Sequence, residues 1–151
     1  FAGSYFVTTS ISDLDKWLDE VDPPVPQLEK EQLFAGIKFT RRYGFMFGVF
    51  NEGVAIDRNS IEQAFSGKQK AYPTALITEL DEDAYYSLAF VNAPVLNDKG
   101  EVAFVLNLTG FSDTDTVRGA TIAEMGKLVR DAAERVTYFM NGRRKPYPFP
   151  E

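Results

Sequence analysis

An α+β fold, in which an antiparallel sheet is flanked by helices and closed by a long C-terminal helix, is predicted by three features of this sequence. The first is Tyr85–Gly110, where two runs rich in β-branched and aromatic residues flank Asn97-Asp98-Lys99-Gly100. Asx and Gly residues supply the local hydrogen bonds and positive φ of a tight reversal, so the stretch reads as a β-hairpin. The second is the helical spacing of apolar residues in two N-terminal segments, and the third is a long segment of the same spacing after the hairpin.

Taken in order, Phe1–Thr9 is a short apolar run whose period decides neither helix nor strand. Ser12, with Asp15 three residues later, reads as an N-cap with a weak capping-box partner; Leu14, Trp17, Leu18 and Val21 then form one apolar face. Pro23, Pro24 and Pro26 end this helix and make a stiff connection. Gln27–Arg42 reads as a second helix, with Leu28, Gln32, Ala35 and Phe39 on one stripe and Leu33, Phe34 and Ile37 beside it. Arg41 and Arg42 in its last turn complement the helix dipole, and Gly44 supplies a left-handed exit. Phe45–Phe50 reads as an apolar strand in which Gly48 marks a bulge or a close backbone approach, with a turn at Asn51–Gly53.

The next segment is expected to hold a short helix from Asn59 to Phe65, stopped by Gly67, and a strand at Ala75–Ile77. Glu79, Asp81, Glu82 and Asp83 form an acidic turn whose spacing lacks the glycine of a calcium loop, so a solvated loop is expected. In the second arm of the hairpin, Val102, Phe104, Leu106 and Leu108 share one face, expected to be core. Ala103, Val105, Asn107 and Thr109 share the other, either solvated or the floor of a pocket. Phe111–Asp115 offers N-cap residues for a helix over Thr116–Met140, about 37 Å long at ~1.5 Å per residue and closed by Asn141-Gly142. That length suggests an oligomer contact or a bridge. Residues 143–151 form a basic, proline-punctuated tail, so the expected division is a domain over 1–142 and a tail beyond it.

Composition bounds the chemistry. The chain of 151 residues is 44% hydrophobic and 14% aromatic, enough for one domain with a real core. It contains neither cysteine nor histidine, which removes disulfides, thiolate chemistry, Cys–His and Ser–His dyads, and the usual transition-metal ligands. With 16 basic against 22 acidic side chains the net charge is -6, which repels a phosphate backbone. No apolar run approaches the roughly 20 residues of a membrane span. The expectation is a cytoplasmic protein that binds neither nucleic acid nor membrane through this chain, requires no cofactor, and is not an enzyme.

Tyr85–Val95 and Gly100–Gly110 together resemble the APV-x(4)-G-x-V-x(4)-L-x-L-x-G core of the effector-binding domain of IclR-type transcriptional regulators. The resemblance extends to Ala2-Gly3-Ser4-Tyr5, where that family has A-G-K-A, to Asp15–Leu18, to Thr40–Phe45 and to Ile122–Val136. It implies a GAF-like fold, a small-molecule pocket, and association into homodimers or homotetramers. It also implies an N-terminal winged helix-turn-helix domain outside this chain, through which DNA would be bound, and two or three strands ahead of Ala2. Ser4 and Tyr5 depart from the family pattern, and the connection over 51–78 is longer than the family's.

Carried over position by position, the family's pocket falls on Gly3, Leu88, Phe90, Asn107 and Thr109, with an acidic position at Asp81. Phe90 in place of a cysteine-sized group makes the pocket smaller or more aromatic, and an Asn amide both donates and accepts. The implied effector is a small organic acid or aromatic metabolite. Two alternatives stand beside the sensor: a small enzyme using a carboxylate of Glu79–Asp83 or Tyr85 or Tyr86, and a structural dimerisation module with a filled interior beneath Phe1–Phe6.

Overall fold

The computed structural model describes residues 2–50, 79–112, 114–142 and 149. The short helix and strand expected within 51–78, the Asn51–Gly53 turn, Asp113 and, except for residue 149, the basic tail lie outside them. Helices α1 (Ala2–Tyr5), α2 (Ile11–Glu20) and α3 (Gln27–Tyr43) precede strand β1 (Met46–Val49). Strands β2 (Tyr85–Tyr86), β3 (Leu88–Leu96), β4 (Val102–Leu108) and β5 (Val117–Arg118) lead into helix α4 (Gly119–Met140). The fold is α+β: β1, β3 and β4 form an antiparallel sheet with β3 central, β2 and β5 form a separate two-stranded ribbon, and α4 packs on the sheet.

The hairpin forms where expected. The Asn97 carboxamide oxygen accepts from the backbone N–H groups of Lys99 and Glu101, both at 2.9 Å, and Gly100 takes the left-handed conformation. A proline in the central strand requires an explanation, because it donates no ladder bond. Asn97 N–H donates to the Glu101 carbonyl, so the residue before it faces the other edge of β3; the Leu96 N–H there goes to Thr137 Oγ1 on α4, at 3.0 Å. Pro94 shares that orientation. Because β1 ends opposite Asn92, the missing N–H of Pro94 removes no bond from the sheet.

The side of the sheet facing α4 is the main core. Val91, Ala93 and Val95 meet Ile122, Val129 and Ala133, with Phe39, Phe45, Phe47 and Leu88 completing the cluster. Each Val, Leu, Ile or Phe buried this completely contributes roughly 1.5–3 kcal/mol. Gly126 is a requirement of that packing, since a Cβ there would lie 2.3 Å from the Phe45 ring. Gly48 makes the close approach its position suggested, with Phe90 across it and a shift of register beside it. A second, smaller cluster joins Leu14 and Leu18 of α2 to Ile37 of α3.

Four local expectations are corrected. The N-cap of α2 is Ser10, whose hydroxyl accepts from the Asp13 N–H, so the helix starts one residue ahead of Ser12; Trp17 on its supposed apolar face is exposed. Leu28, on the stripe proposed for α3, is also exposed; Phe39 of that stripe and Ile37 beside it are buried as expected, and Lys30 and Thr40 turn inward with them. Helix α4 starts at Gly119 and not at Thr116, because Val117 and Arg118 are drawn into the ribbon with Tyr86 and Tyr85. A Cβ at Gly119 would lie 1.9 Å from the Asp81 carbonyl oxygen, so this start demands glycine. Finally, the face of β4 expected to be core is half open: Phe104 and Leu108 are each 41% exposed, because β4 is an edge strand that α4 only partly covers.

Candidate functional site

The side chains of successive residues in a strand point to opposite sides. Opposite the α4 core, β3 therefore presents Phe90, Asn92 and Pro94. The register places Met46 of β1 and Asn107 of β4 on either side of Asn92, so the three side chains form one row across the sheet. Helix α1 lies over this row, packing on β3, β4 and α3. Its approach to α3 is a glycine contact: a Cβ on Gly3 would lie 2.9 Å from the Gly36 carbonyl carbon and 3.0 Å from Met46 Sδ. The close approach brings the next residue, Ser4, down onto the sheet.

Ser4 Oγ donates to Asn92 Oδ1 at 2.6 Å, and both residues are fully buried. The other end of the Asn92 carboxamide has no such match. Its Nδ2, buried with the rest of the side chain, has no hydrogen-bond partner among the described residues. Leaving a buried amide donor unpaired costs about 1–3 kcal/mol, so its persistence in the middle of a central strand requires a reason. The pair has the chemistry of recognition: Nδ2 offers donors and the Ser4 hydroxyl retains acceptor capacity, both suited to a carbonyl or carboxylate group. Neither group titrates near neutrality, so by themselves they supply no general acid or base.

The six residues singled out from sequence do not converge. Gly3 is buried in α1, and Phe90 and Asn107 share its side of the sheet, with Asn107 exposed. Thr109 lies just past the end of β4 and is exposed. Leu88, 1% exposed, belongs to the α4 core on the other side of the sheet. Asp81 is exposed beside the start of α4; its carboxylate accepts from the Asp83 N–H at 2.9 Å, and its own N–H donates to Tyr86 Oη at 3.1 Å. The residues that sequence reasoning passed over are Asn92 and Ser4. A signal for Asn92 was present, since it is the one polar residue in Leu88–Leu96.

The acidic turn that could have served an enzyme is occupied by structural contacts. Asp83 pairs with Arg118 at 2.6 Å, and Glu79 with Arg42 at 3.2 Å, both largely exposed pairs of small energetic weight. Among the described residues no group of three or more acidic side chains gathers as a metal site would need. Arg41, in the last turn of α3 where it complements the helix dipole, also clamps the segment after α1: its Nε donates to the Val7 carbonyl at 2.8 Å and its Nη2 to the Thr9 carbonyl at 2.6 Å. Burial pushes its pKa down from the usual arginine value. A concavity of about 390 Å³ runs along α3, lined by Phe34, Ala35 and Phe39 with Glu31, Lys38 and Arg42. It holds charges of both signs and none of the six residues predicted to bind ligand.

Among the described residues no helix is long and apolar enough to cross a membrane. Comparison of the whole chain with protein families, with curated proteins and with solved structures gives no match.

Proposed function

We propose that this chain is a ligand-sensing domain of the kind found in IclR-type transcriptional regulators, binding a small organic acid or aromatic metabolite beneath α1. In this reading ligand binding biases the arrangement of associated subunits, and a DNA-binding domain outside this chain reads out the change. The observation that supports it is the unpaired donor of Asn92, buried in the central strand on the side where Gly3, Phe90 and Asn107 also lie. A carboxylate or carbonyl entering as α1 lifts would accept from Nδ2 and satisfy it. Asn107, next to Asn92 across the strands, would bind the outer part of the same ligand.

A second reading, a structural dimerisation module, draws support from the same region. Ser4 seals Asn92 completely, and Asn107 and Thr109 stand in solvent, as a filled interior with a wetted margin requires. Isothermal titration calorimetry with a panel of small aliphatic and aromatic carboxylates separates the two. The sensor reading expects at least one ligand whose affinity falls roughly tenfold or more in Asn92→Leu and less in Asn107→Leu, as loss of a hydrogen bond to a charged group requires. A panel in which no compound binds, or in which binding ignores both substitutions, leaves the structural module as the better reading.

A further inference from the structure

The turn that brings Ser4 to Asn92 is held to α3 at two places. Just ahead of Ser4 in the chain, Gly3 packs against Gly36 with no room for a Cβ. Just behind it, Arg41 donates to the Val7 and Thr9 carbonyls at 2.8 and 2.6 Å. The first hold is a close packing contact, and the second is a pair of charge-assisted hydrogen bonds, the stronger kind. Ser4 lies between them in the chain, so its seat on Asn92 depends on both. The segment that Arg41 grips is itself firm: the Thr9 N–H donates to the Phe6 carbonyl at 3.0 Å and closes a turn over residues 6–9. Val7 is fully buried, and Phe6 packs against the cluster of Leu14, Leu18 and Ile37. A grip on this turn is therefore passed on to Ser4 and not lost in slack chain.

The helix dipole alone does not account for arginine at this position. A positive charge near the last turn of α3 is all that the dipole requires, and lysine supplies it as well. Reaching two carbonyls at once from neighbouring nitrogens of one group, Nε and Nη2, takes the planar fork of a guanidinium. It also draws the cation partly out of water, a cost that shows in the lowered pKa of Arg41. What selects arginine here is the shape of the group together with its charge.

We infer that Arg41 is the positioning residue of the site beneath α1: its grip on the Val7 and Thr9 carbonyls keeps Ser4 seated on Asn92, and loosening that grip frees α1 to lift while the rest of the fold stays in place. Arg41 itself touches neither Ser4 nor a ligand and acts through the turn it holds. Its bearing on ligand entry rests on the sensor reading, because a carboxylate reaches the Asn92 Nδ2 only when α1 lifts. The seating of Ser4 does not rest on that reading.

The chain has no cysteine, so single introduced thiols report local opening. Ser4→Cys places one against Asn92, and Val95→Cys places one on the other side of the same strand, in the α4 core; both positions are fully buried. The rate of reaction with N-ethylmaleimide in native buffer reads how often each is uncovered. Arg41→Met and Arg41→Lys are each expected to speed labelling of Ser4→Cys about tenfold or more, as loss of two charge-assisted hydrogen bonds requires. Labelling of Val95→Cys is expected to stay within about twofold, since a local opening leaves the core shut. Should Ser4→Cys not fold, Val7→Cys, at a fully buried position under the same grip, takes its place with the same expected outcome. Equal acceleration at both thiols overturns the inference, because Arg41 then stabilises the whole fold and not α1 in particular. An unchanged rate at Ser4→Cys overturns it too, as does acceleration by Arg41→Met but not by Arg41→Lys, which reduces Arg41 to a charge at a helix end. The labelling needs no ligand: a calorimetric panel without a binder removes the sensor reading and leaves the seating of Ser4 to the thiols, and failure at the thiols leaves the calorimetry untouched.

Discussion

The two sides of β3 are built from alternate residues of one strand, yet they are finished differently. Toward α4, Val91, Ala93 and Val95 meet apolar partners, and the Leu96 N–H donates to Thr137 Oγ1. Toward α1, Asn92 is just as deeply buried, but only half of its carboxamide is matched. Burial of a polar side chain is not by itself the distinction. Lys30, 4% exposed between α2 and α3, is held by Asp15 at 3.0 Å and by a short contact to Asp19. A buried polar group with its partners present is architecture; the unmatched Nδ2 of Asn92 is the feature on which the proposed ligand site rests.

The largest expected effect tests the side that is closed. Ile122→Ala empties the centre of the α4 core and should cost about 3 kcal/mol in urea unfolding, whereas Leu108→Ala on the partly exposed face of β4 should change stability by less than about 0.5 kcal/mol. Equal losses at the two positions would mean that this face of β4 is covered in solution. The next effect tests the side that is unfinished. Ser4→Ala strips the remaining partner from Asn92 and should cost about 1–2 kcal/mol, while Ser4→Ala combined with Asn92→Leu, which removes both polar groups, should return close to wild-type stability. A neutral Ser4→Ala would show that water reaches Asn92 and that α1 opens readily without ligand.

The smallest effect belongs to Lys30. The hydrogen bond to Asp19, then that to Asp15, raise its pKa above the ordinary lysine value. A raised folded-state pKa means that the contribution to stability is complete below the ordinary lysine pKa and is lost as pH climbs through the raised one. Wild type should therefore lose stability in strongly alkaline solution through this group, and Lys30→Met should lack that component of the decline. Thermal unfolding followed as a function of alkaline pH, wild type beside Lys30→Met, reads the difference.

Much of this was legible in the residue order. The left-handed Gly44, the close approach at Gly48, the Asn97–Gly100 turn and the three longer helices all follow from local stereochemistry. Helix starts were less legible, because Ser10 and Ser12 are equivalent as caps until the chain around them is placed, and because Val117 and Arg118 are claimed by a partner strand far away in sequence. The candidate site was the least legible. Alternation along the strand separated Asn92 from Val91 and Ala93, but its burial depends on the Gly3–Gly36 contact between segments with no sequence relation.

Residue order alone placed the three longer helices and the β3–β4 hairpin, since the period of apolar residues and the conformational freedom of glycine act over a few neighbouring positions, but it left α1 undecided and the β2–β5 ribbon unseen. Contacts between distant segments made β4 an edge strand among the described residues and sealed Asn92 beneath Ser4. Exposure is set by what packs against a surface, and hydropathy along the chain carries no record of which surface finds a partner.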